Sequence, residues 1–207
     1  MQNNNVLQEI NELRKKRRAI ILAHNYQPGP IQDLADLTGD SLELSRKAKD
    51  TDADVIVFCG VRFMAETAAI LTPQKIVLLP DLEAGCPMAD MITAEDVKRI
   101  KEQFPGIPII TYVNSNADVK AESTICCTSA NSINVVNSFE EASEVYMAPD
   151  QNLAKYTAKH TEKKVHHWNG YCPIHHNLKA EYVHEARKKY PDAVFIAHPE
   201  CKPEVLD

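Results

Sequence analysis

The chain has 207 residues, 44% hydrophobic and 25% charged, an ordinary balance for a soluble globular protein with room for one large domain or two small ones. A net charge of −6 supplies no basic field to attract nucleic acid or an anionic membrane surface, and no apolar run is long enough to span a bilayer. Residues 1–18 lack the apolar stretch of a signal peptide, so the cytoplasm is the expected compartment.

The apolar positions 6, 7, 10 and 13 predict a helix over Val6–Arg18. Ala19–Ala23 (AIILA) reads as a short buried strand, and His24–Pro30 as a loop closed by Pro28, Gly29 and Pro30. A helix is expected over Gln32–Leu37. Another opens at Gly39-Asp40-Ser41, with Asp40 or Ser41 as N-cap, and runs to about Lys49. Val55–Cys59 is a second buried strand, Phe63–Leu71 a helix and Ile76–Leu79 a third strand. Strands that are apolar throughout and alternate with helices imply parallel sheets covered on both faces.

The same order then restarts. Thr93 caps a helix that ends at Phe104, and Ile107–Tyr112 is the next strand. Lys179–Tyr190 is a further helix, followed by a strand over Ala193–Ala197. Alignment sets Ala23-His24-Asn25-Tyr26 over Thr111-Tyr112-Val113-Asn114 and over Ala197-His198-Pro199-Glu200, with offsets 112 − 24 = 88 and 198 − 112 = 86. Gly85-Cys86-Pro87 recurs as Tyr171-Cys172-Pro173, and Gly39-Asp40-Ser41 as Cys127-Thr128-Ser129. So long a period falls outside solenoid repeats. The expected architecture is α/β, a pseudo-threefold repeat of Rossmann-like αβα domains: residues 1–84, 85–170, and an incomplete third from 171 to 207.

Ligands of open α/β sheets bind beyond the carboxyl ends of the strands. His24 and Tyr26, Tyr112 and Asn114, and His198 and Glu200 therefore stand at equivalent binding edges, and positions i and i+2 of an extended segment face one way. Two imidazoles, two phenols, an amide and a carboxylate suit a small anionic substrate and proton transfer. The bland alternative is solvated loop residues, which three equivalent pairs argue against. Ser41 and Ser129 begin helices near the same edges, where free N–H groups hold phosphate or carboxylate, although most such serines are only N-caps. His175, three residues after Cys172, projects near it if the loop is already helical; equally, it is one of the solvent-facing residues of a histidine-rich stretch.

Six cysteines are present without C-x-x-C spacing, so any that bind metal must converge from distant parts of the chain. Cys86 and Cys172 share one repeat position, each before a proline and a helix. Two such thiolates call for a third from the third repeat, and three leave one iron of a four-iron cluster open. Two half-buried structural cysteines explain the spacing about equally well. Cys59, inside an apolar strand, reads as core, and adjacent Cys126 and Cys127 as structural. His166-His167 have no partner spacing, and Cys201 has no repeat counterpart.

Together, Ala23–Gln27, Gly39-Asp40-Ser41, Ala84–Asp90, Tyr112-Val113-Asn114, Trp168–His175 and His198–Cys201 resemble the quinolinate synthase family over nearly the whole chain. The resemblance implies three Rossmann-like domains around a 4Fe-4S cluster. The implied reaction condenses iminoaspartate, supplied by L-aspartate oxidase, with dihydroxyacetone phosphate, losing phosphate and water to give quinolinate for NAD biosynthesis. It assigns Cys86 and Cys172 as cluster ligands, with the third cysteine ligand beyond Asp207. It places His24, Ser41, Tyr112, Asn114, Ser129, His175, His198 and Glu200 around substrate. Tyr26, Tyr112, His198 and Glu200 become the catalytic candidates. On this reading the 207-residue chain by itself is expected to be inactive. Two rivals rest on the residues alone: a mononuclear metal lyase or hydrolase using histidines with Cys86 or Cys172, and an α/β module that binds small anions without turnover.

Overall fold

Parallel strand pairing organises the computed structural model, which describes residues 2–207. The chain divides into two units, residues 1–86 and 87–207. The first contains α1 (Gln2–Lys16), β1 (Ala19–His24), α2 (Gly29–Leu34), β2 (Leu37–Gly39), α3 (Ser41–Asp50), β3 (Val55–Cys59), α4 (Arg62–Leu71) and β4 (Ile76–Leu78). Its sheet has the order β2-β1-β3-β4, with every pair parallel. β1 is central, and Leu22, Ile56 and Phe58 from β1 and β3 have no exposed surface. Sheets covered on both faces require such uninterrupted apolar strands.

The second unit begins with a 3₁₀ turn, Ala89–Met91, and continues through α5 (Ala94–Gln103), β5 (Ile109–Tyr112), α6 (Ala117–Ala121), β6 (Ile125–Cys127), α7 (Ser132–Asn137), β7 (Glu144–Ala148), α8 (Gln151–Ala158), β8 (Lys164–His167), α9 (Pro173–His176), α10 (Ala180–Lys189) and α11 (Pro203–Leu206). Its sheet is again parallel, in the order β6-β5-β7-β8. The register repeats as well. His24 pairs with Gly39 in the first sheet and Tyr112 with Cys127 in the second, so both members shift by 88 (112 − 24 and 127 − 39). Two parallel sheets of one topology thus bear out the Rossmann-like α/β layout. No described helix is long and apolar enough to cross a membrane.

Three expectations change. The helix expected over Gln32–Leu37 ends at Leu34, because Leu37–Gly39 forms an edge strand on β1. The intervening Asp36 fixes that switch: its N–H donates to Ile21 O, and its carboxylate accepts the Ile21 N–H, each at 2.8 Å. The strand expected from Ile107 begins only at Ile109, where ladder pairing starts. Ala193–Ala197 forms no strand, and Val194 and Ile196 are 87% and 86% exposed. Apolar residues supply strand propensity, but a strand requires a neighbouring ladder, and none of the described residues offers one there.

Local chemistry explains the helix ends. Asp40 accepts the Glu43 N–H at 2.8 Å and so is the N-cap of α3. Thr93 and Asp96 form a reciprocal capping box at α5, which holds the Asp96 carboxyl below its usual range mainly through the Thr93 hydroxyl. Below α5 lies the core of the second unit, with Ile92, Val97, Ile100, Ile109 and Val119 at its centre. Thr93→Ala is expected to lower unfolding free energy by about 1 kcal/mol, the usual cost of losing an N-cap, as measured by denaturant titration.

Candidate functional site

In each of the two sheets a polar residue closes β1 or β5 where its apolar run ends. In the first unit that residue is His24, 6% exposed at the end of β1. Its Nδ1 accepts the Tyr26 N–H at 3.2 Å, and its ring lies 4.5 Å from that of Tyr26. Burial holds His24 below the usual histidine range, against the pull of Asp40. Tyr26 is largely exposed, Ser41 is the first residue of α3, and Cys86 is half-buried.

The second unit gathers a denser group. Glu200 is 3% exposed, and its Oε2 stands 2.7 Å from His175 Nδ1. The same Nδ1 is 3.1 Å from Cys172 Sγ, so one ring nitrogen joins thiol and carboxylate. These hydrogen bonds, to Cys172 first and then Glu200, push His175 up to about 10. Burial alone would raise the Glu200 carboxyl. The His175 bond and the nearby imidazoles outweigh it and hold the group below its usual range, so the carboxylate stays ionised. His198 stacks on His175 at 4.7 Å, and burial holds it below the usual histidine range. Tyr112, 6% exposed, interacts with both Glu200 and Ser129; burial, then the Glu200 charge, raises its phenol well above the usual value.

His198 repeats the local geometry of His24. Its Nδ1 accepts the N–H of Glu200, two residues on, at 3.3 Å. A neutral imidazole with an accepting Nδ1 carries its proton on Nε2, so each ring presents a donor away from its own turn. Within the Glu200 carboxylate, Oε1 is buried and has no hydrogen-bond partner among the described residues. Such an atom keeps its capacity to accept a hydrogen bond. Cys172, His175 and Glu200 also place one donor atom each within 4.8 Å of one another, a mixed set that can hold a metal ion.

The structure therefore brings Tyr112, Ser129, Cys172, His175, His198 and Glu200 together. Asn114 sits half-buried two residues past Tyr112, and no hydrogen bond among the described residues ties it to them. Ser129 does not begin a helix. It lies in a turn, and α7 starts only at Ser132, because Asn131 Oδ1 binds the Thr128 N–H at 2.6 Å and closes that turn first. Of the remaining cysteines, Cys127 and Cys201 are buried, with Cys127 pushed up to about 12 by burial, whereas Cys59 is only half-buried. His166 has a partner that chain spacing hides: Glu144 on the neighbouring strand, at 2.6 Å.

Sequence reasoning overlooked Asp150, Asn152 and Gly170. Asp150 caps α8, accepting the N–H groups of Asn152 and Leu153 at 2.7 Å each, and its Oδ2 accepts the Cys172 N–H at 3.0 Å. Burial pushes its carboxyl up to about 6 despite those bonds. Asn152 Nδ2 donates to Glu200 O at 3.0 Å. Asp directly after Pro149 and before a helical run was a readable cap signal; its reach to Cys172 was not.

The fold is that of a Rossmann-like α/β protein, with polar side chains collected at the carboxyl ends of its strands. A sequence model of the quinolinate synthetase A protein family matches residues 8–207, and the chain belongs to that family. It is 57% identical over 199 residues to the quinolinate synthase of Geobacter sp. strain M21, covering 96% of this chain and 65% of that protein. Identity is 55% over 206 residues to the quinolinate synthase of Geobacter metallireducens, covering 100% of this chain and 67% of the relative. With quinolinate synthase 1 of Methanosarcina acetivorans it is 54% over 207 residues, covering 100% and 68%. The chain thus spans about two thirds of the length of these curated relatives.

A Cβ on Gly170 would stand 2.5 Å from the carbonyl oxygen of Pro149. Backbone meets backbone there, so the Cys172 loop itself would have to move. Gly170→Ala is expected to cost about 1–3 kcal/mol, the range for overpacking, and to alter the rate at which Cys172 is alkylated. Denaturant titration and mass mapping of the labelled thiol check the two effects.

Proposed function

We propose that the protein is a quinolinate synthase acting in NAD biosynthesis, condensing iminoaspartate with dihydroxyacetone phosphate and releasing phosphate and water. Family membership supports the activity. The observation that carries the site is the buried Glu200 carboxylate, fixed by His175 through Oε2 and unpartnered at Oε1.

Glu200 is the base of this proposal: it is ionised and dry, and Oε1 is open to take a proton from bound substrate. The Nε2–H groups of His24 and His198 donate to substrate oxygens. Tyr112, kept protonated by burial, polarises a carbonyl, and Tyr26 serves as a further acid–base group. Ser41 with the α3 N-terminus, and Ser129 with its turn, hold carboxylate or phosphate, and Asn114 adds an amide contact. His175 fixes Glu200 and Cys172 in register. L-aspartate oxidase is the expected source of iminoaspartate, and the repeats at 1–84, 85–170 and 171–207 are the corresponding domains.

Three features of Cys172 support a 4Fe-4S ligand role: it is half-buried, precedes a helix and has its sulfur within hydrogen-bond distance of His175. Cys172 and Cys86 are the ligands this chain would contribute. When bound, such a cluster supplies an open iron, a Lewis acid toward a hydroxyl or carboxylate.

Anaerobic reconstitution of the full-length gene product with iron and sulfide tests this reading. A brown protein with about four irons per chain, lost on Cys172→Ala, is expected. Glu200→Gln is expected to keep the colour and lower kcat for quinolinate formation by about 10²–10⁴-fold, the usual contribution of a general base. A colourless protein holding one zinc ion at Cys172, His175 and Glu200 would replace the proposal with the mononuclear-metal reading.

A further inference from the structure

Gln151 N–H donates to Gly170 O at 2.9 Å, tying the first residue of α8 to the loop that carries Cys172. In the first repeat Arg62 N–H donates to Ala84 O at 2.8 Å, tying the first residue of α4 to the loop that carries Cys86. Each accepting carbonyl lies two residues before its cysteine. The two loops are therefore fastened by one backbone device.

The residues just before those helices differ. Asp150 is the cap of α8 and Val61 the cap of α4. Val61 has no side-chain acceptor. Asp150 divides its oxygens: Oδ1 accepts the two helix N–H groups, and Oδ2 accepts the N–H of Cys172. It is only 2% exposed, and a carboxylate so placed without a structural or positioning role would be a pure desolvation loss. Two residues on, Asn152 is equally buried and spans to Glu200 O at 3.0 Å and His176 Nδ1 at 3.1 Å. One helical turn thus grips both the cysteine loop and the glutamate turn.

We propose that Asp150 is a positioning residue that sets the Cys172 thiolate for its metal-ligand role, through the Oδ2 bond to the Cys172 N–H. The proposal rests on the cluster reading above. Outer-shell groups of this kind orient ligands and typically carry 10–100-fold in metal affinity.

Asp150→Asn separates this role from capping. Asparagine is as good an N-cap as aspartate, so its single oxygen keeps the two helix N–H groups, and its NH₂ then meets the Cys172 N–H donor to donor. In the full-length gene product reconstituted with iron and sulfide, D150N is expected to lose iron to a chelator about tenfold faster than wild type, while its circular dichroism remains that of a folded protein with a thermal midpoint lowered by a few degrees, the cost of the unsatisfied Cys172 N–H. In the cluster-free protein the alkylation rate of Cys172 should shift several-fold, while Cys86, whose loop has Val61 in the corresponding place, keeps its rate. Asp150→Ser, a good cap too short to reach Cys172, should behave alike and serves if D150N folds poorly. Unchanged iron loss and an unchanged Cys172 rate in a folded variant overturn the proposal. So does an equal shift at both cysteines, which marks a general loosening. A wild-type protein that takes up no cluster overturns instead the reading on which the proposal rests, while the alkylation comparison still reports whether Asp150 sets Cys172.

Discussion

A parallel strand covered on both faces must be apolar along its length and must become polar where it leaves the sheet. The molecule depends on this constraint. β1 and β5 obey it: Ile21, Leu22 and Ala23 lead into His24, and Ile109 and Ile110 lead into Thr111 and Tyr112. Each strand delivers its last side chain to the carboxyl edge, and the parallel topology gathers these ends on one side of its sheet. The strand ends are free to carry polar side chains because the interior positions of β1 and β5 are needed for packing.

At that edge in the second unit, electrostatics works against burial. Glu200 is nearly inaccessible to water yet stays ionised, because His175 bonds it and the two stacked imidazoles surround it. A buried pair of this kind adds little net stability, and losing one partner leaves an uncompensated charge. Its value lies in orientation. One carboxylate oxygen is committed to His175, and the other is held ready toward whatever enters. His198, stacked on that ion pair and kept neutral, contributes a donor where a second cation would be repelled.

The two repeats share topology and register but have diverged at single positions. The central strand ends in His24 in one and Tyr112 in the other. The residue before the fourth helix of the first unit is Val61, while its counterpart before α8 is Asp150. Such exchanges leave the backbone bonds of the shared frame in place. The two units can therefore differ at their edges on one frame, because the strand ladders that stabilise each sheet are made by the backbone and do not pass through the exchanged side chains.

Much of the architecture followed from local sequence. Uninterrupted apolar runs marked β1, β3 and β5, Thr93 marked the start of α5, and the 88-residue offset carried His24 onto Tyr112. These features depend on neighbours within a few residues or on comparison along the chain. The three-residue strands β2 and β6 left no such trace, being too short to show a period. Ala193–Ala197 had the composition of a strand without a ladder to join. Only the tertiary structure brought Asp150 to Cys172, Asn152 to Glu200 and Glu144 to His166. Partners 22 or 48 residues apart meet through the packing of whole elements, and no local pattern encodes that distance.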